Sequence, residues 1–263
     1  MSDFEIKITT DPDEVREAQK LRFEVFNLEM HKGLQSSYER GLDVDAFDSF
    51  CEHLVVRENK HSEIVGTYRL LLGSRARENI GFYSENEFDL SRIKHLDGEI
   101  LELGRSCARK DFRDRALIPL MWQTIARYVQ ERKVRYLFGC ASLYTTDPDV
   151  VSESYSLLRK SYYAEERFWV EPVVACRFEG VRGDCELNDE HGVFLKLPSL
   201  IKGYLRLGAV VCGPPALDRE FGTADFLVLL DIMKLGDEYL SRFGLRGERV
   251  RSAVAAEAAT VGD

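Results

Sequence analysis

Glu102 and Arg105 stand three residues apart in ILELGRSCARKDFRDR, where an apolar run that reads as a β-strand ends. A carboxylate at a strand end can take a proton from an attacking nucleophile. The turn after them carries Arg109, Lys110, Arg113 and Arg115, set against Asp111 and Asp114. Basic side chains ahead of a helix N-terminus suit a phosphate. Together these features describe group transfer from a phosphate-bearing carrier, with the carboxylate as general base. The same residues also fit an exposed, salt-bridged turn between a strand and a helix.

Several elements must position this pair. The spacing of Leu117, Leu120, Met121, Ile125, Tyr128 and Val129 predicts a helix after residue 115, and YLFGCAS a short buried strand. Upstream, EIKITT reads as a strand and residues 11–30 as one helix capped by Asp11 or Asp13. An acid-rich loop, HKGLQSSYERGLDVDAFDSF, leads into HLVVRE and EIVGTYRLLLG, the two strands of a hairpin. An irregular excursion from Ser74 then returns to the strand at Ile100. Downstream, a helix starts near Asp147, and EPVVACRFEGVRGDCELN is open to pairing as an excursion of its own. LPSLIKGYLRLGAVVCGPP reads as helix then strand, with Gly208 near the helix end, and ADFLVLLDI as a last buried strand. No repeat or linker divides the chain. The expectation is one domain over 1–245 and a loose tail over 246–263.

Composition narrows the class. The chain has 263 residues, 44% hydrophobic and 31% charged, the balance of a soluble globular protein. A formal net charge of -9 argues against non-specific nucleic-acid binding, so the basic turn suits an acidic partner or a phosphate. The six cysteines show no CxxC spacing and the five histidines no paired-ligand spacing, which predicts reduced thiols, Cys107, Cys140 and Cys212 among the buried ones, and no metal. The first residues lack the apolar core of a leader, and no run reaches the ~20 apolar residues of a membrane span. The expectation is a cytoplasmic protein that could make peripheral contact with the inner membrane.

The layout around Glu102 resembles the GNAT acyltransferase superfamily, whose members hold the pantetheine arm of a thioester donor beside a splayed central strand. The phosphate-binding turn of that superfamily reads R/Q-x-x-G-x-G/A. Here RDRALI, 113–118, has no glycine, which is similar to the acyl-homoserine-lactone synthases that draw acyl chains from acyl carrier protein. RFEVF (Arg22 to Phe26), DVDAFD (Asp43 to Asp48), GTYRLL (Gly66 to Leu71) and ELGR (Glu102 to Arg105) resemble four motifs of those synthases in the same order. With FDxxCEHLVV, ELGRSC, KGYLRLGAVVCGPP and FGTADFLVLL, the chain to about residue 243 looks most like the bacterial ornithine-lipid N-acyltransferases.

That resemblance implies an α/β GNAT-like fold with a mixed, mostly antiparallel sheet flanked by helices and an insertion near 144–196. It implies an enzyme that moves a (3-hydroxy)acyl chain from acyl carrier protein to the α-amine of an amino acid, with ornithine as the leading acceptor. Glu102 would take the amine's proton, or else be a strand-end glutamate paired with Arg69 or Arg105. Arg69 and Arg105 would position Glu102 or bind the acceptor carboxylate. Arg22 and Phe26 would line a substrate channel, unless the Arg22 stem simply covers core surface. Asp45 and Asp48 would face a cationic acceptor, or belong to a solvated loop. Main chain at Ser106 and Cys107 would hold the pantetheine, with Cys107 a poor nucleophile because no histidine lies near it in sequence. Ser142 joins the substrate-binding set. It and Tyr155 are candidates to protonate the leaving thiolate, and both also fit core-edge polar positions. Arg109, Lys110, Arg113 and Arg115 would dock the carrier. No permanently bound cofactor is implied; the acyl-phosphopantetheine of the carrier protein is a co-substrate. The competing readings are another acceptor such as glycine, a short-chain transferase using CoA, and a non-catalytic lipid- or partner-binding module.

Overall fold

Asp11 begins the first helix by accepting hydrogen bonds from the main-chain N–H groups of Asp13 and Glu14, and Pro12 occupies the first helical position. In the computed structural model, which describes residues 3–113 and 117–235, that helix is α1 (Pro12–Phe23), following β1 (Phe4–Thr9). The single helix expected over 11–30 is not uniform: its α-helical part ends at Phe23. From Glu24 to Glu29 the chain continues as a π-helix, marked by Met30 N–H donating to the Val25 carbonyl. After a short α2 (Ser37–Arg40) come β2 (Glu52–Glu58), β3 (Glu63–Leu72), α3 (Gly73–Glu78), β4 (Glu99–Ala108) and α4 (Leu117–Glu131). Then come β5 (Val134–Leu143), α5 (Pro148–Tyr162), α6 (Glu190–Lys196), α7 (Ser199–Arg206), β6 (Val210–Val211), β7 (Ala216–Asp218) and β8 (Thr223–Asp231). Arg115 and the expected tail from residue 246 lie outside the described residues.

The described residues fall into two compact units. One holds the chain up to Ile80 and Gly98–Arg135, the other Gly81–Asp97 and Tyr136–Leu235. In the first, β1, β2, β3 and β4 pair antiparallel in sequence order. Strand alternation sorts their side chains onto two faces. The face bearing Val56, Gly66 and Tyr68 meets α4. A Cβ on Gly66 would stand 3.1 Å from Leu117 Cδ2, so glycine lets the helix close on the strand. The other face bears His53, Val55, Thr67, Arg69, Glu102 and Gly104, as the register Val55↔Thr67, His53↔Arg69, Arg69↔Gly104 and Leu71↔Glu102 requires. Helix α1 and the π-helix after it cover part of it, packing Ala18, Leu21 and Val25 against Val55, Ile64 and Cys107.

The basic turn does not come directly after Arg105, as the sequence suggested; β4 runs on to Ala108. Register passes from Arg69↔Gly104 to Thr67↔Cys107, so Arg105 and Ser106 together oppose Tyr68 in a β-bulge. Arg105 takes a φ of 49°, a left-handed conformation that costs a non-glycine residue on the order of 1–2 kcal/mol.

In the second unit β8 pairs antiparallel with β5, β6 and β7, and Tyr163 forms a parallel bridge with Val211. The pairing is thus mixed and mostly antiparallel, with helices against it. Val151 and Leu158 of α5 and Ile201 and Leu205 of α7 share a core with Phe226 and Val211. The stretch 171–188 forms no strand. It holds a 3-10 turn at Val174–Cys176 and isolated bridges Phe88↔Pro172 and Arg177↔Ala216. No helix among the described residues is long and apolar enough to cross a membrane.

Candidate active site

Arg22 leaves α1 on the face toward the sheet and is wholly buried, in an environment that admits a guanidinium only if acceptors surround it. The 43–48 loop supplies them. Arg22 Nη1 donates to Asp48 Oδ1 at 2.8 Å, and Nη2 donates to Asp43 Oδ1 and Asp48 Oδ2, both at 2.9 Å. From β3, Arg69 Nη1 donates to both Asp45 carboxylate oxygens at 2.6 Å and to Asp48 Oδ1 at 3.1 Å. From the bulge in β4, Arg105 Nη2 donates to Asp45 Oδ2 at 3.1 Å, and its Nε lies 3.5 Å from Asp43 Oδ1. Gln19 of α1 adds a bond to Asp48 Oδ2 at 3.1 Å. Three arginines and three aspartates thus tie together α1, the loop, β3 and β4. Alternation would send Arg105 to the face opposite Gly104. The bulge turns it back to the face that carries Arg69.

Glu102 lies on that face, two residues from Gly104 and only 5% exposed. Apart from its chain neighbours Leu103 and Arg105, a Cβ built on Gly104 would meet no heavy atom within 4 Å, and Gly104 is partly exposed. The carboxyl-bearing residue therefore borders open space along its own strand. Electrostatics fix the charge states nearby. Burial would raise the Asp48 carboxyl, but hydrogen bonds and charge from Arg22, with charge from Arg69, outweigh it and hold it well below the usual carboxylate range. Asp45 is likewise lowered: burial opposes, and the charges of Arg69 and Arg105 prevail. His53, buried beside Asp48, is pushed down by desolvation despite the Asp48 charge. Its Nε2 lies 3.3 Å from the Asp48 carbonyl oxygen, which can only accept, so Nε2 carries the proton. Nδ1 is buried with no hydrogen-bond partner.

The structure thus brings Arg22, Asp45, Asp48, Arg69 and Arg105 into one cluster, on the sheet face that carries Glu102. It gives the charged members contacts the sequence did not assign. Arg69 and Arg105 are engaged with aspartates rather than presented to a carboxylate ligand, and Asp45 and Asp48 are neutralised by arginine rather than left as an acidic pocket. Arg22 is neither a channel liner nor a stem on the core; its guanidinium is an internal ion-pair partner. Phe26, in the π-helix, packs partly buried beside the α1 core. Asp43 and His53 were missed as cluster members, although the spacing Asp43, Asp45, Asp48 was a visible signal. Cys107 is buried under α1, and burial pushes its thiol up to about 12, which suits packing and not nucleophilic attack. Toward β3, its main chain and that of Ala108 lie in register with Thr67 and Gly66, and Arg109 N–H donates to the Val65 carbonyl. Ser106 sits in the bulge, unmatched in that register.

The basic turn is ion-paired. Arg109 meets Glu63 and Asp111, and Arg113 donates to both Glu29 carboxylate oxygens at 2.6 and 2.8 Å. Lys110 opens the 3-10 turn Lys110–Phe112. Ser142 and Tyr155 belong to the second unit. Ser142 is half-buried on β5 opposite Asp225. Tyr155 is buried, with its hydroxyl 3.4 Å from that of Tyr163; desolvation pushes it up, so it releases a proton reluctantly. Cys212 is buried as expected, whereas Cys140 is only half-buried. Ligand atoms of Glu87, Cys140 and Asp225 lie within 4.8 Å of one another, the group among the described residues best disposed to hold a metal ion.

Comparison with known proteins bears on this geometry. The acetyltransferase (GNAT) domain family matches residues 21–123, which hold the whole arginine–aspartate cluster and Glu102. An L-ornithine N(alpha)-acyltransferase of Brucella abortus is 32% identical over 257 residues, covering 93% of this chain and 90% of the relative. One of Agrobacterium fabrum is 32% identical, covering 94% and 87%. The solved acyl-homoserine-lactone synthase LasI shares the fold, with a TM-score of 0.51 at 14% identity, over 88% of this chain and 91% of that one. The fold is thus GNAT-like, as the sequence resemblance implied.

The cluster has two measurable consequences. Asp48→Asn strips one carboxylate from Arg22 and Arg69 and should cost about 3–5 kcal/mol of stability in chemical denaturation, since buried charge is left uncompensated. A cost under about 1 kcal/mol would mean the cluster is solvated. The second consequence concerns pH. His53 has a folded pKa below its ordinary 6.5, so the unfolded chain binds the extra proton. Stability from this group is full above about 6.5 and falls as pH drops below it. Asp45 and Asp48, also lowered, add their loss only below the ordinary 3.8. Thermal midpoints should therefore decline in two stages on acidification. His53→Gln should flatten the upper stage and leave the lower one; an unchanged upper stage would assign it to another group.

Proposed function

This chain belongs to the family of the L-ornithine N(alpha)-acyltransferases, within the GNAT acyltransferases, and we propose that it moves a (3-hydroxy)acyl chain from the thioester of acyl carrier protein to the α-amine of ornithine, a step in making an aminolipid. The observation that carries the reading is Glu102, a nearly buried carboxylate residue on the cluster's sheet face beside the open space above Gly104. Glu102 takes a proton from the α-ammonium group. The neutral amine attacks the thioester carbonyl, the C–N bond forms and the C–S bond breaks. As the amide forms, the nitrogen gives up its second proton to the departing thiolate, and Glu102 releases the first to solvent. Arg69 and Arg105 act on this step through position: with their charges engaged by Asp45 and Asp43, they fix β3 and β4 around Glu102. The case for ornithine rests on the relatives and not on an acidic pocket, since arginine takes up the charges of Asp45 and Asp48.

Support for a carrier-protein donor is the glycine-free stretch 113–118 of the sequence and the basic residues in and before it. Their ion pairs are partly exposed and exchange readily with an acidic partner. Lys110→Glu should raise the KM for acyl carrier protein, with the difference shrinking as salt is added, and leave kcat alone. Equal turnover on acyl-CoA, indifferent to this change, would count against the carrier.

Mass spectrometry of lipid extracts from cells expressing the chain tests the reaction itself. A new amide should appear whose mass gives both acyl chain and acceptor. Glu102→Gln keeps the side-chain shape but removes the base, so with purified enzyme the chemical step should slow by roughly 10²–10⁴-fold while the fold survives. A folded, fully active Glu102→Gln enzyme would overturn the assignment of Glu102; an amide of glycine alone would move the acceptor and leave the mechanism.

A further inference from the structure

Gly104 is a glycine that the backbone does not need. Its φ lies outside the left-handed region, unlike Gly41, Gly98 or Gly208. Within a strand, glycine is also a poor choice, because it orders at a higher entropic cost and packs nothing. At Gly66 and Gly73 of the same unit the space is taken. A Cβ on Gly66 would press on Leu117 at 3.1 Å, and one on Gly73 would strike Ile100 at 2.6 Å. Above Gly104 nothing beyond its chain neighbours Leu103 and Arg105 stands within 4 Å. Leu103 before it is buried, while Gly104 is reached by solvent, as are Arg105 and Ser106 of the bulge. Its face is the one that carries Glu102, and two residues of strand separate them by about 6.5–7 Å, within the reach of a glutamate side chain. Its register partner, Arg69, is held away by Asp45 and Asp48.

We infer that Gly104 is the floor of the acceptor subsite: the space above it receives the amine-bearing carbon of the amino acid, and the missing side chain sets how much bulk can stand beside Glu102. This rests on the reading of the chain as an amino-acid N-acyltransferase. It assigns specificity to a residue that touches the acceptor only by making room for it. The proton is still taken by Glu102, and no further group enters the reaction.

The test is the pair Gly104→Ala and Gly104→Val in the full chain, with the acyl thioester donor held saturating and ornithine, then glycine, varied. Because no residue beyond its chain neighbours crowds the position and the backbone permits a side chain, Gly104→Ala should keep or raise the thermal midpoint. Its kcat/KM for ornithine should nevertheless fall about tenfold or more, and that of Gly104→Val further, through the acceptor and not the donor. The ratio of glycine to ornithine turnover should rise, since the smaller acceptor tolerates the new methyl best. A merely structural glycine would move stability without moving that ratio. Three results would overturn the inference: a folded Gly104→Val enzyme with unchanged kcat/KM for ornithine, a rise confined to the donor's KM, or an unchanged glycine-to-ornithine ratio. The two levels separate cleanly. If the unmodified chain acylates no amino acid, the proposed function fails and takes this subsite with it; if that chain is active and the variants match it, only the subsite fails.

Discussion

Everything near Glu102 depends on the ion-pair lattice of Arg22, Arg69 and Arg105 with Asp43, Asp45 and Asp48. Taking six charges out of water is expensive, and an apolar core of the same volume could be as stable or more so. What the lattice supplies that an apolar core does not is direction. A bidentate contact fixes angle as well as distance. Arg22 sets the roll of α1 against the loop, Arg69 sets the loop against β3, and Arg105 ties β4 to both. The strand that bears Glu102 is therefore located by three elements remote from one another in sequence.

The bulge at Arg105–Ser106 is the counterpart of that lattice in the backbone. A regular strand would point Arg105 toward the leucines of the α4 face and would leave Cys107 out of phase with Thr67. One extra residue corrects both. It turns the guanidinium to the carboxylates and returns Cys107 to the α1 core. The left-handed conformation at Arg105 is held by the contacts it makes possible, a local cost offset by pairing elsewhere.

Much of this was legible in the sequence, and the parts that were not share a cause. Alternation and capping located β1, the β2–β3 hairpin, α4, β5 and β8, because each is decided by local pattern. The ELGR and DVDAFD stretches marked the right residues. What they touch was not legible: Arg69 and Arg105 read as ligands for a substrate, and Asp45 and Asp48 as a pocket for a cation, because pairing across 24 or 60 residues leaves no periodic trace. His53 was missed for the same reason, lying in an ordinary strand pattern. The end of α1 was missed because the π-helix keeps helical composition while changing its hydrogen bonding. Gly104 gave no signal at all, since an empty space beside a glycine exists only in three dimensions.

That π-helix, Glu24–Glu29, has a consequence for how the chain tolerates insertion and deletion. A π turn holds one more residue than an α turn can, so it absorbs a surplus residue without breaking the helix. The surplus resets the phase of the residues after it. Val25 still faces the core with Leu21, while Glu29 comes round to Arg113 and Phe26 offers its carbonyl to the N–H groups of Lys32 and Gly33. Removing a single residue from this stretch would restore uniform α-helical bonding, and local helix propensity would favour the change. It would also turn Glu29 away from Arg113 and uncouple the helix from the basic turn. Homologous chains one residue shorter here should therefore differ at both places together.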